Sequence, residues 1–211
     1  LPLIAPDATW LKPLYDPAWD RVYAAIQDCD LVMNQHTGAG IADHGDDLVG
    51  QAIWMSDVRW AAQTGLRHLM LSGVFERFPK LKYIITESGC RWAGELLADL
   101  DRIDGSIKRG VTGEIKYSGE WALKRKPSEY MQEMYYSSQP MEMPDDLSIL
   151  EATFKMIKAE TQLVWSSDYP HWDFDLPSVI YDLPFLNETA KRNILGGTAA
   201  KLFGLDPKPV K

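Results

Sequence analysis

The chain has little cysteine, little histidine and no long apolar run. Two cysteines in 211 residues, Cys29 and Cys90, make neither a disulfide framework nor a Cys-x-x-Cys zinc pattern. They read as reduced thiols, which places the chain in a cytoplasmic compartment. No uninterrupted apolar stretch reaches the ~20 residues that a bilayer-spanning helix needs, and no basic start followed by an apolar segment marks a secretory signal. Positive charge is scarce too: 22 Lys and Arg stand against 30 Asp and Glu, a net charge of −8. Such a balance repels a phosphate backbone, so neither nucleic acid nor a membrane is expected as a partner. The first residue is Leu1 instead of Met, which reads as a processed or truncated piece of something longer.

What is present is a repeated layout in which an apolar run ends on a side chain that can hold a metal or move a proton. Val164-Trp165-Ser166-Ser167-Asp168-Tyr169-Pro170-His171 ends on Asp168, with Pro170 breaking the strand. Leu31-Val32-Met33-Asn34-Gln35-His36 ends on His36, and Tyr83-Ile84-Ile85-Thr86-Glu87 ends on Glu87. In parallel α/β folds the carboxyl ends of the strands are where chemistry sits.

The remaining pattern fits that placement. Strands are expected over about 31–36, 82–87, 134–138 and 162–167, each alternating with helical periodicity. Asp16 and Pro17 open a helix over 18–29, and Asn187 caps a late one that stops near Gly196-Gly197. Residues 52–63 and 66–78 read as two helices separated by Gly65, and a further helix is expected over 92–103. Residues 105–126 are charged, with scattered Gly and no clear period, and read as an excursion or lid. The whole chain, 1–211, reads as one domain. Strand–helix alternation implies a parallel sheet with right-handed crossovers. Two architectures fit four strands: an open doubly wound sheet, or the second half of a (β/α)8 barrel. A glycine-rich phosphate loop after the first strand would favour the former and is absent; polar groups at three strand ends favour a barrel mouth.

Four segments carry a resemblance: Asn34-Gln35-His36-Thr37-Gly38, Phe75-Glu76-Arg77-Phe78-Pro79-Lys80-Leu81-Lys82, Trp165-Ser166-Ser167-Asp168-Tyr169-Pro170-His171, and the stretch from Ala190 to Phe203. In their order and spacing the chain resembles the carboxyl-terminal half of the amidohydrolase superfamily, in its branch related to aminocarboxymuconate-semialdehyde decarboxylase. The resemblance implies an α/β fold, the last four strands of a TIM-type barrel, with a divalent ion, most often zinc, at the strand ends. His36 would then be the metal-binding histidine of the fifth strand, and Asp168 the aspartate of the eighth, binding the ion or orienting its water. The His-x-His pair of the family's first strand is absent, and Glu87 stands where many relatives carry a histidine.

Each residue also has a plainer explanation. Asp168 can serve as a turn residue bonding the backbone. Glu87 can pair with Arg91. His171 can support the metal site from behind or sit on a surface loop. Arg91 and Trp92 can hold a substrate's carboxylate and apolar ring, or simply pack the start of a helix.

The expected function is that of a metal-dependent hydrolase or decarboxylase acting on a small molecule. His36 and Asp168 hold the ion, and Asp168, Glu87 and His171 handle the water and its protons. A catalytic zinc takes three protein ligands plus water, so without the first-strand pair the isolated chain is expected to have low or no activity. The alternative is a non-catalytic fragment or scaffold. Its 31–36 and 162–167 sheet edges would be bare, leading to a homo-oligomer or to pairing with the missing barrel half.

Overall fold

The computed structural model describes residues 10–38, 40–111, 113 and 119–206. A single 3-10 turn, Pro17–Trp19, is capped by Asp16, whose carboxylate accepts from the Ala18 amide at 2.8 Å. It leads into α1 (Asp20–Asp28), then β1 (Val32–His36), α2 (Leu48–Leu71), α3 (Val74–Arg77) and β2 (Lys82–Thr86). Next come α4 (Trp92–Lys108), α5 (Pro127–Met131), β3 (Tyr135–Ser137), α6 (Leu147–Met156), α7 (Ala159–Gln162) and β4 (Leu163–Val164). The chain closes with α8 (Ser178–Tyr181), α9 (Glu188–Arg192) and α10 (Thr198–Phe203).

The four strands form one sheet in the order β1-β2-β3-β4, every neighbouring pair parallel. This is the α/β architecture of half a (β/α)8 barrel, with most helices on one face and α10 against the other. The pairing sets which side chains share a face. Met33 opposes Tyr83 and Gln35 opposes Ile85, so these four point toward the helices. There they join the main core with Tyr23, Leu66, Leu69, Leu100, Tyr136, Leu150 and Leu163. On the other face Val32, Ile84, Tyr135 and Val164 form a smaller cluster closed by Ala199 and Leu202 of α10. His36, opposite Thr86, lies on this second face at its carboxyl end.

Three expectations need correction. Residues 48–71 are one helix, not two. A side chain at Gly65 would meet the Gln35 carboxamide, with Nε2 only 2.6 Å from the added carbon. Gly65 therefore permits close approach of helix to strand rather than breaking the helix. That approach lets Gln35 Nε2 donate to the Ala62 carbonyl at 2.6 Å, while the Tyr83 hydroxyl donates to Gln35 Oε1.

The expected lid is the second. Residues 105–108 complete α4. Of the remainder, 112 and 114–118 lie outside the described residues. The part at 119–126 packs at the opposite end of the sheet from the strands' carboxyl termini. Trp121 Nε1 donates to the buried Asp104 carboxylate at 2.7 Å, Leu123 enters the core, and the Lys124 amide donates to Glu76 on α3, just before β2. Apolar burial and the partner needed by Asp104 draw this part away from the mouth.

The third concerns the sheet edge at 162–167. Only Leu163 and Val164 form strand, and the next edge amide, Trp165 N–H, donates to the Ile194 carbonyl at 2.9 Å. Ile194 lies in the wide turn Asn193–Gly197 between α9 and α10. That edge is partly covered instead of bare.

Candidate metal centre

Glu87, just after β2, and Asp168, four residues past β4, both lie in the left-handed region, at φ 52° and 57°. Such angles are uncommon for residues with a side chain and cost of order 1–3 kcal/mol where they occur. They turn both carboxylates back over the strand ends. The Glu87 amide donates to Ser137 Oγ at 3.0 Å, anchoring the turn to the end of β3. The loop after Asp168 is anchored in turn: the His171 amide donates to the Asp168 carbonyl at 2.8 Å, and Asp175 N–H to the Ser167 carbonyl at 2.9 Å. The Asp175 carboxylate accepts from the Met141 amide at 2.7 Å, joining this loop to the one after β3.

These turns gather one constellation. Donor atoms of Glu87, Asp168 and His171 lie within 4.8 Å of one another. His36 Nε2 is 2.6 Å from Glu87 Oε2. The other ring nitrogen of His36, Nδ1, is 2.8 Å from the Thr37 carbonyl, which can only accept, so Nδ1 carries a proton. Nε2 is therefore the atom presented to Glu87, or to a cation in its place. His171 Nδ1 is 3.5 Å from Asp168 Oδ2 and hydrogen-bonds Asp173.

The electrostatics are those of crowded acids. Burial raises the pKa of Glu87; His36 opposes the rise and the nearby Asp168 adds to it, with smaller effects from His171 and Asp173. The hydrogen bond that His171 Nδ1–H donates to Asp173 raises the pKa of His171, and the charges of Asp173, Asp168 and Glu87 act in the same direction. Asp168 Oδ2 is buried without a hydrogen-bond partner. A buried carboxylate oxygen left so is costly, and a cation bound between Glu87, Asp168 and His171 would satisfy it. Two carboxylates and one imidazole within reach of one point are a donor set suited to zinc or manganese. The residues present thus fit a divalent ion.

The other expected site residues stand apart from this cluster. Trp92 is a core residue. Its indole N–H donates to the Ser88 and Gly89 carbonyls at 3.0 and 3.2 Å, and its ring meets Tyr136 edge-on. Arg91 precedes α4, where its amide donates to Glu142 at 2.7 Å, and it lines a groove on the helical flank. Glu87 meets His36 rather than following the plainer expectation of an Arg91 pair. Sequence reasoning missed Asp173 and Ser137. Asp173 carried one local signal, an acid two residues after a histidine beside a strand-ending proline; Ser137 carried none.

An amidohydrolase family model matches residues 5–205. Among solved structures, the chain is similar to 5-carboxyvanillate decarboxylase from Sphingomonas paucimobilis, at 25% identity and a TM-score of 0.69, over 91% of this chain and 55% of that one. An amidohydrolase from Mycobacterium avium subsp. paratuberculosis K-10 gives 20% identity and a TM-score of 0.72, over 92% and 47%. A dihydroxybenzoic acid decarboxylase from Polaromonas sp. JS666, with bound manganese and the inhibitor 2-nitroresorcinol, gives 19% and 0.60, over 92% and 56%. The chain thus spans about half the length of these structures. Among curated proteins none matches. The match over nearly its whole length shows that the chain belongs to the amidohydrolase family.

Proposed function

We propose that this chain carries the metal-binding, proton-handling half of an amidohydrolase-type decarboxylase, with zinc as the ion and a hydroxylated benzoate-class acid as the substrate. The observation that carries the reading is the orphaned Asp168 Oδ2, aimed among donor atoms of Glu87 and His171. The decarboxylase names of two similar structures favour decarboxylation over hydrolysis.

Glu87, Asp168 and His171 would hold the ion, with His36 beside Glu87. A divalent ion bound there supplies positive charge that steadies an anionic substrate and acidifies water. His36 holds Glu87 in place through Nε2, and its own ring is fixed by the Thr37 carbonyl. Glu87, whose burial raises its pKa while no ion is bound, would give up its proton to hold the ion. In the proposed reaction the ring-to-carboxylate C–C bond breaks and its electron pair stays on the ring carbon. Carbon dioxide leaves, and a proton taken up from solvent and passed on by the His36 ring beside Glu87 fills the vacated position. Asp173 keeps the His171 ring oriented.

The test is carbon dioxide release from 2,6-dihydroxybenzoate and 5-carboxyvanillate with added zinc or manganese, alongside metal titration. The expected result is slow, metal-dependent release that Asp168→Asn abolishes together with metal binding. Absence of both metal binding and release from the unaltered chain would overturn the reading in favour of a non-catalytic scaffold.

A further inference from the structure

The Glu87 turn and the Asp168 loop belong to strands that are not neighbours, since β3 lies between β2 and β4. The stretch that leaves β3 spans the gap. Ser137, Ser138 and Gln139 are polar yet buried there, at 1%, 0% and 1% exposure. Such side chains are costly to bury unless bonded, and apolar ones would fill the same space. Ser137 serves the Glu87 side, as described above. Ser138 serves the β4 side: its Oγ accepts from the Ser166 amide at 3.3 Å, and its own amide donates to the Val164 carbonyl at 2.9 Å. Gln139 reaches both sides. Its carbonyl accepts from the Gly89 amide, two residues past Glu87, at 3.4 Å, and its Nε2 donates to the Asp173 carbonyl at 3.3 Å.

On the Glu87 side the contact is close as well as bonded. A carbon added to Gly89 would lie 2.8 Å from the Glu142 carboxyl carbon and 3.0 Å from the Pro140 carbonyl oxygen. Glu142 also accepts from the Arg91 amide at 2.7 Å. The Glu87 turn therefore rests directly on the loop after β3. On the other side, Asp173 carries the carboxylate that accepts from His171 Nδ1. Holding the Asp173 main chain fixes where that carboxylate stands, and so which way the His171 ring faces. Gln139 is not itself in the Glu87, Asp168 and His171 cluster, so it acts through Asp173.

We propose that Gln139 is a positioning residue for the metal centre. It joins the Glu87 turn to the Asp173 backbone and so sets the spacing of Glu87 and His171. The proposal rests on the metal-binding reading above for the second of its two readouts; the first needs no metal.

The test uses the whole chain with isotope-labelled histidine, the variants Gln139→Met and Gln139→Leu, and Thr153→Val as a control. Thr153 is buried too, but its hydroxyl bonds the Ile149 carbonyl within α6, away from the rim. The first readout is the nuclear magnetic resonance of the His171 ring nitrogens without metal at pH 8, assigned through His171→Gln. The unaltered chain and Thr153→Val should show a proton held on Nδ1. Both Gln139 variants should show the ring exchanging between tautomers, with far-ultraviolet circular dichroism like the parent's. The second readout is cobalt(II) titration followed by visible absorption, in which both Gln139 variants should bind about tenfold more weakly, with altered bands. Unmoved His171 signals in the Gln139 variants would overturn the proposal. So would the same change in Thr153→Val, loss of fold in both Gln139 variants, or cobalt affinity equal to the parent's in a parent that binds it. If the unaltered chain binds no cobalt, the metal-binding reading fails, and the ring signals alone uphold or overturn the positioning role.

Discussion

Asp168 combines backbone strain and a buried oxygen without a hydrogen bond at one position in the loop after β4, and a bound cation would relieve the second of these. Asp168→Asn keeps the shape but removes a carboxylate from the cluster, so divalent-ion affinity should fall by at least about 100-fold while the metal-free chain stays folded. Titration calorimetry and thermal unfolding without metal check the two halves. Asp173→Ala releases His171 and should weaken metal binding by about 10- to 100-fold, with partial rescue by Asp173→Glu. The pH dependence follows from Glu87 and His171, both of which hold their protons to higher pH than usual, His171 above 6.5. A metal must displace those protons, so apparent affinity should drop on acidification, by about tenfold per pH unit for each proton displaced. Titrations at pH 6, 7 and 8 should show affinity rising with pH; a flat profile would remove His171 from the site. The placement of His36, Glu87, Asp168 and His171 near one rim was legible because His36 and Glu87 end or follow apolar strand runs and Asp168 comes shortly after Leu163 and Val164. Asp173 and Ser137 were not, because what they contribute is a contact across loops, set by the fold and without a period.

Elements were legible where a period was long and its ends were marked by caps. Asp16, Asp146 and Asn187 each accept from an amide at the start of a helical turn or helix, as their types imply. Gly65 misled because a glycine within a helix signals a break and a close approach equally. Gly65→Ala should cost about 1–3 kcal/mol, since the added carbon displaces Gln35 from its bonds to Ala62 and Tyr83; a urea melt unchanged from the parent would mean that the helix shifts freely. The 119–126 segment misled because its charged, aperiodic sequence hides one apolar anchor, Leu123, and a polar anchor on Glu76. Burial by itself would raise the pKa of Glu76, but the Tyr130 hydroxyl and the Lys124 and Arg125 amides outweigh it and hold the pKa below 4.5. A depressed folded-state pKa stabilises above the unfolded value and loses that contribution as pH falls through the folded one. Glu76→Gln should therefore lower the urea midpoint at pH 7, by an amount that shrinks as the pH falls through the folded-state pKa.

The whole molecule has the architecture of half a barrel, with the Glu87, Asp168 and His171 cluster at one rim. The Glu87 turn after β2 and the Asp168 loop after β4 are linked through β3 and its following loop, and a shared ion would tie them directly. An ion that binds the folded state alone adds about 2.7 kcal/mol at a hundredfold excess over its dissociation constant, so the midpoint of thermal unfolding should rise with added zinc. The four parallel strands and their flanking helices followed from alternating periodicities. The cover that α10 and Ile194 give to β4 did not, because it depends on which apolar faces remain unfilled after the sheet has formed. Everything chemical in this account rests on Glu87, Asp168 and His171 converging on one cation. The most direct test is equilibrium dialysis of the purified chain against zinc at pH 8, followed by elemental analysis, for the unaltered chain and for Asp168→Asn. The account predicts one ion per chain in the first and none in the second; equal metal content in both, or none in either, would contradict it.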